Sequence, residues 1–351
     1  MFQNQSINNR KKRIILLLTL SVFIMGILCL FAGSSHMTVE ECADALFRRG
    51  NEGNIRIIWK VRIPRVLAAI IAGAGLSVSG LIMQTTLGNS MASPSTLGVS
   101  NAAVFGANLS IIAFAGGFLS TGGNVSNMMA GMNPYAASLM AFVFSILSTM
   151  LILALCKKRR FSPNVVVLAG IAVGSVWTAA TSVLQFFATD VGLSAAVIWS
   201  FGDLGRATYR TDLIMLVVVL SGIIYFLMMC WQYNALLSGE SVAGTMGINV
   251  SSLRFASLFF ASLITAVCVS FLGVIGFVGI ICPHTVKKLL GQDHRFSIPA
   301  SSLAGSFLLL FSDTLARSLG NGSALPVGAL TSLLGAPFFL AIVFSREGEH
   351  R

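Results

Sequence analysis

Residues 255–282 read FASLFFASLITAVCVSFLGVIGFVGIIC, and the number of times this run crosses a membrane decides the topology of the whole chain. No charged side chain interrupts it, and it exceeds the ~20 apolar residues that a helix needs to cross a bilayer core. Gly273, Gly276 and Gly279 lie in its second half. As one helix it gives nine spans in total. Broken at the glycines it gives a full span over 255–273 and a short one over 276–290, and the total becomes ten.

The other apolar runs lie at 14–33, 66–87, 96–115, 135–156, 165–188, 213–231, 299–316 and 327–344. Lysine and arginine separate nine spans from ten, because cytoplasmic loops carry the basic excess. With ten spans the clusters at 10–13 and 157–160 fall inside with Arg254, Lys287, Lys288, Arg295, Arg346 and Arg351, which is 14 of the 23 bases. With nine spans five of these move out and Arg317 moves in, leaving 10 inside against 13 outside. The sequence therefore predicts an all-α polytopic membrane protein: one domain over 1–351, ten transmembrane helices, both termini cytoplasmic and a multi-pass place in the cell membrane.

Composition supports this class. Of 351 residues 55% are hydrophobic and 10% charged, with mean hydropathy +0.85, whereas about a quarter of a soluble domain is charged. A soluble enzyme, a disordered chain and a coiled coil are excluded. The net charge of +11 does not indicate nucleic acid, because no basic face on a water-soluble fold accompanies it. Partitioned over ten spans, the inside carries +10 and the outside +1, so the charge is a topology signal. Five of the six cysteines lie in or beside apolar runs and only Cys42 falls in an outside loop, so no disulfide framework is expected. Small residues repeat at four-residue spacing, Gly73 with Ser77, Gly75 with Ser79 and Gly170 with Gly174, as in helices that pack closely in lipid.

Span interiors are nearly free of ionisable groups. Ion-coupled transporters and membrane enzymes usually keep one at mid-membrane despite a cost of roughly 3 kcal/mol. No metalloprotease, hydrolase or P-loop motif is present, so uphill transport would need energy from another chain. A stand-alone secondary transporter or channel driven by an ion gradient is the rival reading.

Two polar segments interrupt the apolar pattern. Ser238 to Ile248 reads as a short cytoplasmic helix with Ser238 as N-cap, Glu240 in the first turn and Gly247 as C-cap; it either lies along the bilayer or docks into a partner's groove. On the other side Arg48, Arg49, Arg56, Lys60, Arg62 and Arg65 face only Glu52 over 48–65, against the orientation rule, which points to an acidic partner or anionic substrate. Pro64 reads as the first helical residue of the second span. Asp313 and Arg317 stand at i, i+4, in the order that favours a helix ion pair.

Several motifs resemble the FecCD-type permeases of iron-siderophore, haem and cobalamin ABC importers. They are Arg62-Ile63-Pro64-Arg65, the run from Gly75 to Gln84, Ala92 to Ser100, Gly276 to His284, Asp293-His294-Arg295, Asp313-Thr314-Leu315-Ala316-Arg317, and Leu325 to Gly328 with Gly335 to Phe339. The resemblance runs from about Ile14 to Phe344. It implies a type II ABC importer permease fold, a dimer with a second permease subunit, two cytoplasmic ATP-binding subunits and an extracytoplasmic substrate-binding protein. It implies no cofactor and no catalysis in this chain, ATP being used by the partners. By the same resemblance Arg62, Arg65 and Arg317 match arginines that dock the binding protein, and Glu240, Ala243 and Gly247, within a coupling segment over 236–250, match the helix that docks the ATPase. The cargo it implies is a ferric siderophore or similar bulky chelate. Two places depart from the family pattern: Asn89-Ser90-Met91-Ala92 stands for Asn-Pro-Leu-Ala, and Lys287-Lys288 for a single arginine. Spacing suggests Ser77, Ser79, Gln84 and Asn101 as pathway-lining residues, with helix packing as the alternative role.

Overall fold

A computed structural model describes residues 2–33, 37–114, 134–157, 161–319 and 325–347. Of the basic residues that set the predicted orientation, 158–160 and Arg351 lie outside the described residues, as does the end of the third predicted span at position 115. Every regular element described is helical. In chain order these are α1 (Phe2–Phe31), α2 (Val39–Leu46), α3 (Glu52–Ile57), a π-helical segment (Ile58–Arg62) and α4 (Ile63–Thr86). A 3₁₀ turn (Pro94–Leu97) leads into α5 (Val99–Asn108) and a second π segment (Leu109–Phe114). Then follow α6 (Pro134–Lys157), α7 (Pro163–Phe186), α8 (Asp190–Ser200), α9 (Tyr209–Met228), α10 (Cys230–Leu236) and α11 (Glu240–Thr245). The last four are α12 (Val250–Leu272), α13 (Val278–Leu290), α14 (His294–Leu319) and α15 (Val327–Glu347).

Among the described residues seven helices are long and apolar enough to cross a membrane: Asn8–Phe31, Glu52–Thr86, Tyr135–Lys157, Pro163–Phe186, Tyr209–Met228, Val250–Leu272 and His294–Leu319. Each overlaps a predicted span, Glu52–Thr86 beginning well before the predicted 66. Shorter apolar helices occupy Val99–Phe114, Asp190–Ser200 and Val327–Ala341.

The deciding run does break. Gly273 ends α12 at φ +80°, and a side chain there would strike the Trp199 carbonyl at 2.6 Å, so the residue has to be glycine. The following α13 has 13 residues, about 20 Å at 1.5 Å per residue, and is by itself shorter than a ~30 Å hydrocarbon core. Two expectations shift. Helix α8, 11 residues long, occupies a stretch that the sequence reading left as a loop between the fifth and sixth spans. Pro64 does not start the second span, because the helix runs on from Glu52 through the π segment, where the Ile63 N–H reaches back to the Ile58 carbonyl. That wider turn accommodates a proline with no N–H to donate.

The chain forms two compact units. The first comprises Met1–Leu81, Leu204–Asn234 and Ile275–Arg351. Within it Gly73 lies against the backbone of Gly305 and Gly80 against that of Gly279, approaches that a Cβ would prevent. The Ser306 hydroxyl donates to the Ile70 carbonyl at 2.8 Å across the Gly73 crossing. Ile14, Ile15 and Leu18 of α1 pack on Val286, Leu290 and Ala300.

The second unit comprises Ile82–Asp203 and Ala235–Val274. Its core gathers Ala103, Ala107, Ile112, Ala141, Trp199 and Val269. Phe105, Phe144 and Trp177 join α5, α6 and α7 through ring contacts of 5.0–5.6 Å, and the Trp177 indole N–H donates to the Ser148 hydroxyl at 3.0 Å. Outward-facing side chains on α1, α6, α7 and α9 include Leu16, Leu20, Leu147, Leu151, Leu168, Val176, Val217 and Leu220, a surface suited to hydrocarbon and ill suited to water.

Candidate functional site

Three constellations carry the residues singled out by sequence. The first is the arginine cluster, which the structure places inside the first unit. Arg62, Arg65 and Arg317 are only 4%, 7% and 6% exposed. Arg65 donates to Asp313 at 2.8 Å, and Arg317 pairs with the other carboxylate oxygen at 3.1 Å, so one buried acid serves two arginines. Arg62 donates to the Leu30 and Phe31 carbonyls at 2.6 and 3.2 Å, and Arg317 to those of Ala32 and Cys29 at 2.6 and 2.9 Å. Carbonyls at a helix end lack intrahelical donors and carry partial negative charge, so cations there are favourable. Two of the three arginines thus cap the end of α1. The exposed cations of the same segment are Arg48, Arg49, Arg56 and Lys60. Arg48 adopts a left-handed φ of +59° and lies over the Trp59 ring at 4.7 Å, a contact that holds a guanidinium in an otherwise disfavoured backbone region.

The second is a cavity of about 680 Å³ in the second unit, lined by Asn89, Met91, Ala92, Ser95, Thr96, Gly98, Asn101 and the face of α7 that carries Gly170, Gly174, Ser175 and Thr178. Asn101 donates to the Gly174 carbonyl at 3.2 Å and to the Thr178 hydroxyl at 3.1 Å. The predicted Gly170/Gly174 spacing is used here: a side chain on Gly170 would meet the Leu97 backbone at 2.8 Å. Of the four residues suggested for a pathway, only Asn101 lines this cavity. Ser77, Ser79 and Gln84 are enclosed by their own chain at 0%, 0% and 3% exposure, with Ser77 packed against Gly305.

The third is the segment over 236–250 that the sequence marked as a candidate coupling segment. The short helix forms, but its N-cap is Gly239 at φ +110° and not Ser238, because the turn after α10 takes a backbone conformation that glycine reaches freely. Its other end follows the sequence reading. Gly247 at φ +80° donates to the Gly244 carbonyl at 3.0 Å and Ile248 to that of Ala243 at 3.1 Å, the paired bonds of a Schellman cap. Ala243 is buried, while the Glu240 side chain is 56% exposed. A hydrogen bond from Arg254 holds the Glu240 carboxyl below its ordinary range, against a smaller opposing effect of burial. Sequence reasoning counted Arg254 only as a positive-inside charge; its role as partner to Glu240 carried no local signal.

The FecCD transport family model matches residues 19–345. An ABC transporter permease protein of Methanocaldococcus jannaschii is 44% identical over 336 residues, covering 95% of each chain. The hemin transport system permease protein HmuU of Yersinia pestis is 35% identical, over 84% of this chain and 85% of that one. A solved metal-chelate-type ABC transporter in an inward-facing conformation aligns with TM-score 0.79 and 27% identity, over 95% of this chain and 99% of that one.

Proposed function

The chain belongs to the FecCD transport family and is the membrane-spanning permease of an ABC importer, and we propose that its cargo is a ferric siderophore or similar bulky metal chelate. The observation that carries this reading is the end-to-end match to a metal-chelate-type ABC transporter, joined by similarity to permeases named for hemin, vitamin B12 and Fe(3+)-citrate. ATP-driven import is supported over a stand-alone secondary transporter. This chain is a transport subunit, and ATP hydrolysis falls to two partner subunits that dock on α11 around Glu240, Ala243 and Gly247. A second permease subunit completes the pathway, to which Asn101 and the cavity face of α7 contribute.

In the proposed orientation both termini and α11 are cytoplasmic, and the α2–α3 segment faces outward. An extracytoplasmic binding protein lands on that segment. Its acidic residues meet the exposed Arg48, Arg49, Arg56 and Lys60 first, with Arg62, Arg65 and Arg317 forming the rigid floor beneath. Cycling between outward- and inward-open states moves the cargo without bond chemistry in this chain. Reconstitution into liposomes with the ATPase subunits and binding protein tests the reading. Uptake of a ferric siderophore should require ATP inside the proteoliposomes' ATPase-facing side and stop when ATP is omitted. Uptake by the permease alone under an ion gradient would overturn it.

A further inference from the structure

Arg254, the fifth residue of α12, is 4% exposed and reaches in two directions. One terminal nitrogen donates to the Glu240 carboxylate on α11. Its Nε donates to the carbonyl of Thr86 at 2.7 Å. Thr86 is the last residue of α4, so this carbonyl is one that a helix leaves without an internal donor, and the guanidinium there also complements the helix dipole. Past Thr86 the chain turns through Gly88 at φ +57°, with the Asn89 N–H returning to the Gln84 carbonyl at 3.1 Å. From Asn89 to Thr96 it then forms one rim of the cavity.

A single buried side chain therefore ties an exposed acid on the coupling segment to the end of α4 that holds the cavity rim. Each of the two bonds uses a different nitrogen of a planar fork. Lysine, with one nitrogen at the end of a flexible stem, cannot reproduce that geometry.

We propose that Arg254 is the transmission residue of the importer: displacement of α11 by a docked ATPase reaches the Asn89–Thr96 rim through the Glu240–Arg254–Thr86 chain. This deepens the reading of α11 as the ATPase-docking segment and rests on it. Arg254 touches no cargo and acts by positioning.

The test uses the full complex of permease, ATPase subunits and binding protein in liposomes. Met91 lies on the cavity rim and is exposed, and all six native cysteines are buried. A Met91→Cys reporter can therefore be read with a water-soluble maleimide. With Arg254 present, adding ATP with vanadate should change the labelling rate at least fivefold. With Arg254→Gln the nucleotide response should vanish, and cargo taken up per ATP hydrolysed should fall at least tenfold. Arg254→Lys should restore less than a third of the coupling. The charge swap Glu240→Arg with Arg254→Glu should not rescue, since a glutamate cannot donate to the Thr86 carbonyl. A rescue by the swap would show that the ion pair alone matters and would overturn the relay. So would an intact nucleotide response in a correctly inserted Arg254→Gln permease. Co-purification of the ATPase with each variant separates the two readings. If the ATPase stays bound and the response persists, only the relay fails; if a complex whose permease carries Val242→Cys and keeps Arg254 shows no cross-link to the ATPase, the docking reading fails with it.

Discussion

The arginine cluster of the first unit and the coupling segment of the second use the same chemistry to opposite ends. Around Asp313 every partner is enclosed: the acid is fully buried, two guanidiniums bracket it, and Arg62 and Arg317 close the carbonyls at the end of α1. At α11 one buried arginine holds an acid that is more than half exposed, on a helix of six residues. A closed network has one low-energy arrangement and resists displacement. A half-exposed pair on a short helix can be pulled on by whatever binds there. The sign of a charge in a topology count does not distinguish the two; the number of its neighbours does.

The sharpest way to break that contrast is to open the closed network. Asp313→Asn leaves Arg65 and Arg317 buried without their anion, and removing one partner of a buried ion pair costs about 3–5 kcal/mol. Thermal unfolding in detergent should show a large drop, whereas Glu240→Gln should barely move it. Equal losses from the two variants would mean that the regions do not differ in kind. A smaller effect separates floor from contact surface. Reversing the exposed Arg48, Arg49, Arg56 and Lys60 together should weaken binding-protein association by about 2 kcal/mol at low salt, on the order of 30-fold, with surface pairs contributing roughly 0.2–1 kcal/mol each. The remaining affinity should depend less on salt. The thermal midpoint should hold in that variant. Unaltered affinity would assign the docking surface elsewhere.

The seven long apolar helices were legible because lipid solvation demands long apolar runs, and the break at Gly273 was legible because a helix that must end in a left-handed residue favours glycine there. The Asp313–Arg317 pair and the Gly247 cap were likewise local, three to five residues across. What escaped reading was long-range. Thr86 lies 168 residues before Arg254, so nothing in either neighbourhood announces their bond. The burial of Arg62, Arg65 and Arg317 escaped for the same reason: arginines on the outer side read as contacts for an acidic partner, and only the fold brings Arg62 and Arg317 to carbonyls at the end of α1 and Arg65 to Asp313. Helix α8 escaped on length, being too short to register as a span. Asn101 reached the cavity while Ser77 and Ser79 packed between helices, a choice made by the pairing of Gly73 with Gly305, which spacing within one helix does not encode.

The mildest perturbation is pH, and it bears on the exposed side of the comparison. Arg254 holds the Glu240 carboxyl below its ordinary range. A group whose value is lowered in the folded state adds stability at every pH above its free value, about 4.3 for glutamate, and that stability is lost as pH falls through the lower folded value. Hydrogen exchange of the amides from Glu240 to Gly247, corrected for intrinsic rates, should therefore give constant protection from pH 8 to pH 5 and a decline only below about pH 4. The Glu240 carboxylate is more than half exposed, so the decline should stay under about 1 kcal/mol, less than about fivefold in protection. Glu240→Gln should flatten the profile. A wild-type profile that stays flat below pH 4 would show the carboxyl titrating at its free value, and the coupling segment would then lack the Arg254 contact that links it to the end of α4.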